Sequence, residues 1–178
     1  MYDLKRAKDY GFIVGFAEKS FELTDAPAQA TALASSVLYV ESVLRDDPEG
    51  FDGIGGMCDG GLIAAIVASR LAPGSRVRFL LNLCAMPWSN LPAGLGEALG
   101  GELAESIVLP SLHLIASEDE WVKEEERMAL PARCVDARTI SIKGGHVVPR
   151  CSASVANAVR MLVSSAGLVN LTAWLEST

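Results

Sequence analysis

The sequence lacks a long uninterrupted hydrophobic run and an excess of basic side chains. Its longest apolar stretch, 62–68, is far shorter than the roughly 20 residues that a membrane-spanning helix needs, and the apolar run 79–81 is shorter still. The net charge is −7, from 15 basic and 22 acidic side chains, which disfavours binding to a phosphate backbone. We therefore expect no membrane span and no nucleic-acid partner.

Cysteine and histidine are too few and too widely spaced for a recognisable metal site. No pair of cysteines has CxxC spacing, and the chain has only 2 histidines. We expect no metal and no cofactor. Reduced cysteines fit the cytoplasm or another reducing intracellular compartment better than an oxidising one. The four cysteines are Cys58, Cys84, Cys134 and Cys151.

The composition is that of a folded protein with abundant apolar side chains. Of the 178 residues, 50% are hydrophobic and 21% are charged. No repeat and no Pro/Gly/Ser-rich linker divides the chain, so we expect one domain over residues 1–178. A mean hydropathy of +0.29 also leaves room for a partner protein that covers apolar surface.

Short apolar segments that are typical of strands alternate with helical patterns. This alternation predicts an α/β fold, a three-layer, mostly parallel sheet with helices on both faces. In such sheets the chemistry gathers where strands end and helices begin. The predicted strands are Phe21–Thr24, Phe51–Met57, Val77–Ala85, Ser111–Ala116 and Thr139–Ile142. The predicted helices are Ala32–Leu44, Leu62–Leu71, an acidic segment Glu120–Ala129, and Ser152–Val163, with a loosely helical stretch over Leu91–Leu103.

The segment Gly56-Met57-Cys58-Asp59-Gly60 matches the nucleophile elbow, Gly-x-nucleophile-x-Gly, with cysteine where serine usually stands. The elbow is a sharp strand-to-helix turn, and its glycines are needed because a Cβ would collide with a neighbouring element. The first-turn N–H groups of the following helix should lower the pKa of Cys58, whereas the Asp59 carboxylate should raise it. An inert, buried cysteine in a glycine-rich turn is the alternative reading of the motif.

Two further residues follow the ends of predicted strands. Asp119 can orient an imidazole there, although a solvated residue at the start of an acidic helix is the alternative. His146 lies in a loop after two glycines. The chain order nucleophile, acid, base is that of α/β-hydrolases, so we predict Cys58, Asp119 and His146 as catalytic residues. His113 lies within a strand and should be a packed, hydrogen-bonded core residue.

At this point the sequence resembles the eukaryotic family of serine hydrolases over about residues 20 to 160. The resemblance implies an α/β-hydrolase fold, ester or thioester hydrolysis, and the triad Cys58, Asp119 and His146. A cysteine nucleophile is compatible with this fold, because dienelactone hydrolases carry a Gly-x-Cys-x-Gly elbow. The matching blocks are Phe21-Glu-Leu-Thr-Asp-Ala-Pro27, Phe51-Asp-Gly-Ile-Gly-Gly-Met-Cys-Asp-Gly60, Pro110-Ser-Leu-His-Leu-Ile-Ala-Ser-Glu-Asp119 and Gly144-Gly-His-Val-Val-Pro149.

The chain departs from the family pattern next to the nucleophile. Asp59 stands where the family usually has glutamine. Its backbone N–H can still bind an oxyanion, but its carboxylate repels the negative charge that develops there. The lid region after Pro27 is shortened to almost nothing, which removes much of the wall that would select a substrate.

A second departure concerns the first core strand and the histidine-glycine loop that supplies the family's other oxyanion N–H. Residues 1–20 resemble the helix that follows this loop, so we expect the strand to be lacking. The strand before Cys58 would then have an exposed apolar edge. That edge could be covered by Tyr10–Phe16, by an inward shift of the Phe21 strand, or by a partner protein.

Two main functions are compatible with these features. The first is hydrolysis of a small carboxylic ester or thioester through the Cys-His-Asp triad, with the Asp59 N–H at the oxyanion. The alternative is a catalytically silent relative that serves as a structural or interaction subunit of a larger assembly. A redox-sensing thiol at Cys58 is a third reading, and it needs neither Asp119 nor His146.

Overall fold

A computed structural model describes residues 12–15, 25–148 and 152–167, and for residues 12–15 it describes the backbone alone. The predicted strand Phe21–Thr24 therefore lies outside the described residues. The described part of the chain forms one parallel sheet in which the spatial order of the strands follows their order in the sequence. The strands are β1 (Phe12–Gly15), β2 (Gly53–Met57), β3 (Phe79–Leu83), β4 (Ser111–Ala116) and β5 (Ala137–Ile142).

Helices connect most of these strands, as the alternation of patterns predicts. The helix α1 carries a proline in its first turn, where the missing N–H costs nothing, and it buries a stripe with helical spacing. The helix α2 is buried from 60 to 68, which fits its position against the sheet. Among the described helices, none is long and apolar enough to cross a membrane. The helices are α1 (Ala26–Asp46), α2 (Asp59–Arg70), α3 (Leu95–Ala98) and α4 (Ala153–Ser165), with short 3-10 turns at Trp88–Asn90, Glu124–Glu126 and Pro131–Arg133.

Alternate side chains of the strands build two separate hydrophobic clusters, one on each face of the sheet. Leu80 of β3 packs with α1 and α2, whereas its neighbour Phe79 packs on the other face with α4. This alternation follows from the two-residue period of a strand. The predicted three-layer α/β architecture is therefore confirmed.

The strand β1 corrects the expectation for the first twenty residues. A helix was expected there, but Phe12–Gly15 form a strand that pairs in parallel with β2, with Ile13 beside Ile54. The run Phe-Ile-Val is rich in residues that favour strands, which explains the outcome. Within the described residues, the strand before Cys58 thus has a neighbour from its own chain, and that neighbour lies within Tyr10–Phe16, one of the three candidates for covering this edge.

The acidic helix predicted over Glu120–Ala129 is wrong. A 3-10 turn at Glu124–Glu126 and irregular turns occupy this segment. The Arg127 guanidinium donates to the carbonyl oxygens of Asp119 and Val122, which a helix over this segment would pair with its own amides. Such side-chain to backbone bonds compete with regular helix.

A buried polar cluster crosses β3 and β4. His113 Nε2 lies 3.1 Å from the Ser111 hydroxyl, and its Nδ1 lies 3.4 Å from the Asn82 amide nitrogen. All three side chains are almost fully buried. The prediction of a hydrogen-bonded core histidine is confirmed, and burial lowers the pKa of His113 to about 4.

This buried histidine should make the fold sensitive to acid. Between about pH 6.5 and 4 the unfolded chain binds a proton at His113 that the folded chain does not, so lowering the pH lowers the free energy of unfolding. The full effect is about 3 kcal/mol. Urea unfolding of wild type and His113→Asn across this range should show a steeper loss in wild type. Equal slopes would contradict a neutral, buried His113.

Candidate active site

Cys58 lies at the turn between β2 and α2, with φ 54° and ψ −125°. A positive φ is uncommon for a residue with a Cβ and costs free energy that surrounding contacts must supply. This is the backbone conformation that the nucleophile elbow requires. The thiol is half-buried. The sequence motif thus forms the strand–turn–helix geometry expected of it.

Glycines allow the close packing on which this turn depends. A Cβ at Gly56 would overlap the backbone of Gly60, and one at Gly55 would lie 2.6 Å from the Leu81 carbonyl oxygen. A Cβ at Gly61 would lie 2.5 Å from the Cβ of Ala85. A side chain at Gly56 would force β2 and α2 apart, whereas one at Gly55 would collide with β3 and one at Gly61 with the segment that follows β3.

The loops after β4 and β5 bring Asp119 and His146 together. His146 Nδ1 lies 2.9 Å from Asp119 Oδ2 and 3.1 Å from Oδ1, and both side chains are buried. Burial alone would raise the pKa of Asp119, but hydrogen bonds from His146 and from the amides of Trp121 and Val122 outweigh it and lower the pKa. The carboxylate is therefore ionised, accepts from Nδ1–H, and fixes the orientation of the ring.

The other imidazole nitrogen is available for chemistry. With Nδ1–H donating to Asp119, the neutral ring carries its lone pair on Nε2. This atom is buried and has no hydrogen-bond partner within the part of the chain that the structure describes. His146 also lowers the pKa of Asp59, and Asp119 raises that of Cys58. The structure thus places the three predicted catalytic residues at one end of the sheet.

Of the two opposing influences expected on the pKa of Cys58, the one that raises it prevails. Burial raises the pKa of the thiol to about 11, and the negative charges of Asp59 and Asp119 add to the effect. The Asp59 backbone N–H partly offsets this by donating toward the sulfur. Cys58 Sγ lies 3.9 Å from Asp59 Oδ1, so the thiol proton faces a carboxylate oxygen. At neutral pH Cys58 is a thiol and needs a base.

The pKa of the Asp59 carboxyl group is raised to about 6, and burial is the main cause. His146 and the Cys58 thiol act in the opposite direction. Asp59 forms no salt bridge within the described segments. Its carboxylate therefore faces the nucleophile without a neutralising Lys or Arg.

Two side chains that sequence reasoning missed hold the loops of the pair. The Arg127 guanidinium donates to the carbonyl oxygens of Ser117, Asp119 and Val122, at 2.9 to 3.1 Å. The Glu120 carboxylate accepts the backbone N–H of His146 at 3.2 Å. The presence of a single arginine in an acidic segment could have indicated the contacts of Arg127. No feature of the sequence indicates the contact of Glu120 with the His146 amide.

The glycines before His146 have separate structural tasks. Gly144 has φ 124°, a conformation that residues with a Cβ rarely adopt. A Cβ at Gly145 would lie 2.6 Å from the Glu120 carboxylate oxygen. Gly144 therefore allows the backbone of the loop to turn, and Gly145 leaves the space in which the Glu120 carboxylate accepts the His146 N–H.

An aromatic side chain stands beside the imidazole. The ring centroids of Trp121 and His146 are 5.9 Å apart with the planes at 42°, and Trp121 is 68% exposed. Val147 and Val148 are also exposed next to His146 in the chain. The site thus has an open, apolar rim.

The fold and the geometry agree with the comparisons to known proteins. A sequence profile described as Serine hydrolase (FSH1) matches residues 8–158, most of the chain. The chain therefore belongs to this serine hydrolase family. Among curated relatives, it is 31% identical over 137 residues to "Esterase OVCA2" of Mus musculus, which covers 75% of this chain and 59% of that protein. It is 36% identical over 103 residues to "Esterase OVCA2" of Bos taurus, which covers 56% of this chain and 43% of that protein.

The chain spans about half the length of these curated relatives. Solved α/β-hydrolase structures share its fold. Est1E from Butyrivibrio proteoclasticus has a TM-score of 0.56 at 15% identity, over 87% of this chain and 86% of that one. Zea mays acyl-protein thioesterase 2 has a TM-score of 0.54 at 18% identity, over 78% of this chain and 66% of that one.

Replacing Arg127 should loosen the loop that carries Asp119. In Arg127→Ala three carbonyl oxygens lose their donor, and hydrogen bonds to a charged group are worth about 1.5 to 3 kcal/mol. We expect the amides of Trp121 and Val122 to exchange hydrogen faster, while those of the buried α2 stay protected. Arg138→Ala, on exposed β5, is the control. Unchanged exchange at Trp121 and Val122 would contradict the role given to Arg127.

The raised pKa of Cys58 predicts slow alkylation at neutral pH. Because the thiolate is the reactive form, the rate with iodoacetamide should rise about tenfold per pH unit from pH 7 to 10, without the plateau of an ordinary thiol. Asp59→Asn should increase the rate at each pH by removing a negative charge. Peptide mass spectrometry at Cys58 measures both effects. A plateau below pH 8 would show that the thiolate is stabilised after all.

Proposed function

We propose that this protein hydrolyses a carboxylic ester or thioester through Cys58, His146 and Asp119. The observation that carries the proposal is the Asp119–His146 pair, whose Nε2 is buried and unpartnered at the end of the sheet where the Cys58 turn lies. Family membership supports the same class of reaction. The esterase names of the relatives agree with it.

The proposed reaction has two acyl-transfer steps. Cys58 Sγ attacks the acyl carbon while His146 Nε2 takes the thiol proton, and collapse of the tetrahedral adduct returns that proton to the leaving alcohol or thiol. His146 then removes a proton from water, whose oxygen attacks the acyl-Cys58 thioester and releases the carboxylic acid and the free thiol. Asp119 keeps the ring oriented and stabilises its protonated form.

The high pKa of Cys58 decides how the first step proceeds. A thiol with a pKa of about 11 is almost entirely protonated at neutral pH, so a preformed thiolate–imidazolium pair is not the resting state. His146 therefore acts as a general base during the attack, as it would for a serine hydroxyl. General base catalysis of this kind contributes about a hundred- to ten-thousandfold.

The Asp59 backbone N–H is the proposed oxyanion donor. It belongs to the first turn of α2, where amides have no partner within the helix, and it already points toward Cys58 Sγ. The Asp59 carboxylate opposes it by repelling the oxyanion. The residue therefore supplies a favourable amide and an unfavourable charge at the same place.

One observation favours the second candidate, a catalytically silent interaction subunit. The Cys58 thiol donates to Asp59 Oδ1, and His146 Nε2 has no hydrogen-bond partner among the described residues. The proposed nucleophile and base are therefore not hydrogen-bonded to each other in the described structure. Apo enzymes often have such loose contacts, which tighten when substrate binds. A measurement of substrate turnover distinguishes the hydrolase from the catalytically silent subunit.

The first test is hydrolysis of p-nitrophenyl acetate and an acetyl thioester by wild type and variants. We expect Cys58→Ala to abolish turnover and His146→Ala to lower it at least a hundredfold, because general base catalysis is lost. Cys58→Ser should keep measurable turnover, since serine is the family's nucleophile. Intact mass should show an acetyl adduct of wild type that Cys58→Ala lacks.

The controls separate catalysis from folding. Circular dichroism should show the same fold in every variant, and His113→Asn, in the buried cluster, tests the histidine that is not part of the proposed triad. Wild-type turnover in Cys58→Ala or His146→Ala would overturn the triad. A folded wild type with neither turnover nor adduct would favour the silent subunit.

A further inference from the structure

The surroundings of His146 contain two groups that attract cations and whose roles the triad does not explain. One is the Asp59 carboxylate, 3.9 Å from the nucleophilic sulfur, half-buried and without a salt bridge in the described structure. The other is the exposed indole of Trp121, 5.9 Å from the imidazole. Aromatic faces and carboxylates together are the groups that bind ammonium ions in proteins.

The negative charge of Asp59 is energetically unfavourable unless a positively charged group binds beside it. Burial raises the pKa of its carboxyl to about 6, so the group is anionic at pH 8 although its surroundings disfavour the charge. Its charge also opposes both deprotonation of Cys58 and formation of an oxyanion. A cation bound beside the carboxylate would relieve all three effects at once.

The buried, unpartnered Nε2 of His146 is a further observation that favours a ligand at this place. The side chain is only 7% exposed, and its free nitrogen has no partner among the described residues. Asp59 Oδ1 lies 3.9 Å from the Cys58 sulfur, and the Trp121 ring lies 5.9 Å from the imidazole of His146. A ligand that contacts both the nucleophile and the base therefore comes near both cation-attracting groups.

We propose that this site selects acyl esters or thioesters that carry a positive charge close to the reacting carbonyl, and that Asp59 and Trp121 recognise the cation. Asp59 supplies the ionic attraction and Trp121 supplies an aromatic face. The inference rests on the proposed hydrolysis for its substrate class. The selectivity for cations can be measured without hydrolysis.

The thiol itself provides that measurement. Methanethiosulfonates transfer an alkylthio group to a cysteine thiolate, which forms a mixed disulfide and releases methanesulfinate. At pH 8 the rate of reaction with Cys58 is measured for two methanethiosulfonates, one with a trimethylammonium-ethyl group and one with an uncharged methyl group. Each rate is divided by the rate of the same reagent with mercaptoethanol, which serves as the reference thiol. The ratio of the two cancels the pKa of the thiol, so it reports the local preference for positive charge.

We expect the cationic reagent to be favoured about tenfold in wild type, from the attraction of one nearby charge at intermediate dielectric. Asp59→Asn should bring the ratio close to one, and Trp121→Leu should lower it about threefold. Asp136→Asn makes the same change of charge at the start of β5, the opposite edge of the parallel sheet, and should leave the ratio unchanged. Equal ratios in wild type and Asp59→Asn, or equal loss in Asp136→Asn, would overturn the proposal.

Hydrolysis gives the second readout. Acetylthiocholine is compared with its uncharged isostere, in which tert-butyl replaces trimethylammonium, and we expect about tenfold higher kcat/KM for the cation in wild type, lost in Asp59→Asn. If both thioesters are cleaved equally and the ratio of the two methanethiosulfonate rates is the same in wild type and Asp59→Asn, the proposed hydrolysis is supported and the cation preference is wrong. If neither is cleaved but the reagent ratio depends on Asp59, the cation site stands and the proposed hydrolysis fails.

Discussion

The architecture of the site depends on how closely β2 and α2 approach each other at the Cys58 turn. There is no room for a Cβ at Gly56, which faces the backbone of Gly60, and little at Gly61, which faces Ala85. This contact holds Cys58 at a positive φ and directs the first turn of α2 toward the sulfur. A looser turn would lose both the placement of the thiol and the amide beside it.

The remaining chemistry comes from the parallel arrangement of the sheet. Because all strands run in one direction, the loops after β2, β4 and β5 emerge at the same edge. Asp119 and His146 meet there although 26 residues separate them, and the contacts of Arg127 and Glu120 fix the two loops. The pair is therefore rigid before any substrate arrives, which is the condition for effective acid–base catalysis.

The sequence was sufficient for the features that depend on local pattern. Strand–helix alternation predicted the sheet and its two faces, and the Gly-x-Cys-x-Gly motif predicted the turn at Cys58. The order of Cys58, Asp119 and His146 predicted which loops would converge. These features follow from apolar periodicity and from the special conformations of glycine, both of which can be read directly from residue types.

Features that depend on burial and on distant contacts could not be predicted. The helix N-terminus was expected to lower the pKa of Cys58, but desolvation and neighbouring charges raise it. The segment after Asp119 was expected to be helical, but Arg127 takes the carbonyl oxygens that a helix would use. The pairing of Phe12–Gly15 with β2 is likewise a tertiary choice that local sequence leaves open.

The sequential order of the strands has a consequence for the newly made chain. Each strand pairs with the one just before it, so β2, the Cys58 turn and β3 can assemble during synthesis while His146 is still inside the ribosome. For that interval the thiol has no base. Asp59 is its direct neighbour in the sequence, so its negative charge accompanies Cys58 from the start and disfavours the thiolate, the form that oxidants attack. Asp59 thus acts on the pKa of Cys58 in the same direction before and after the site is complete.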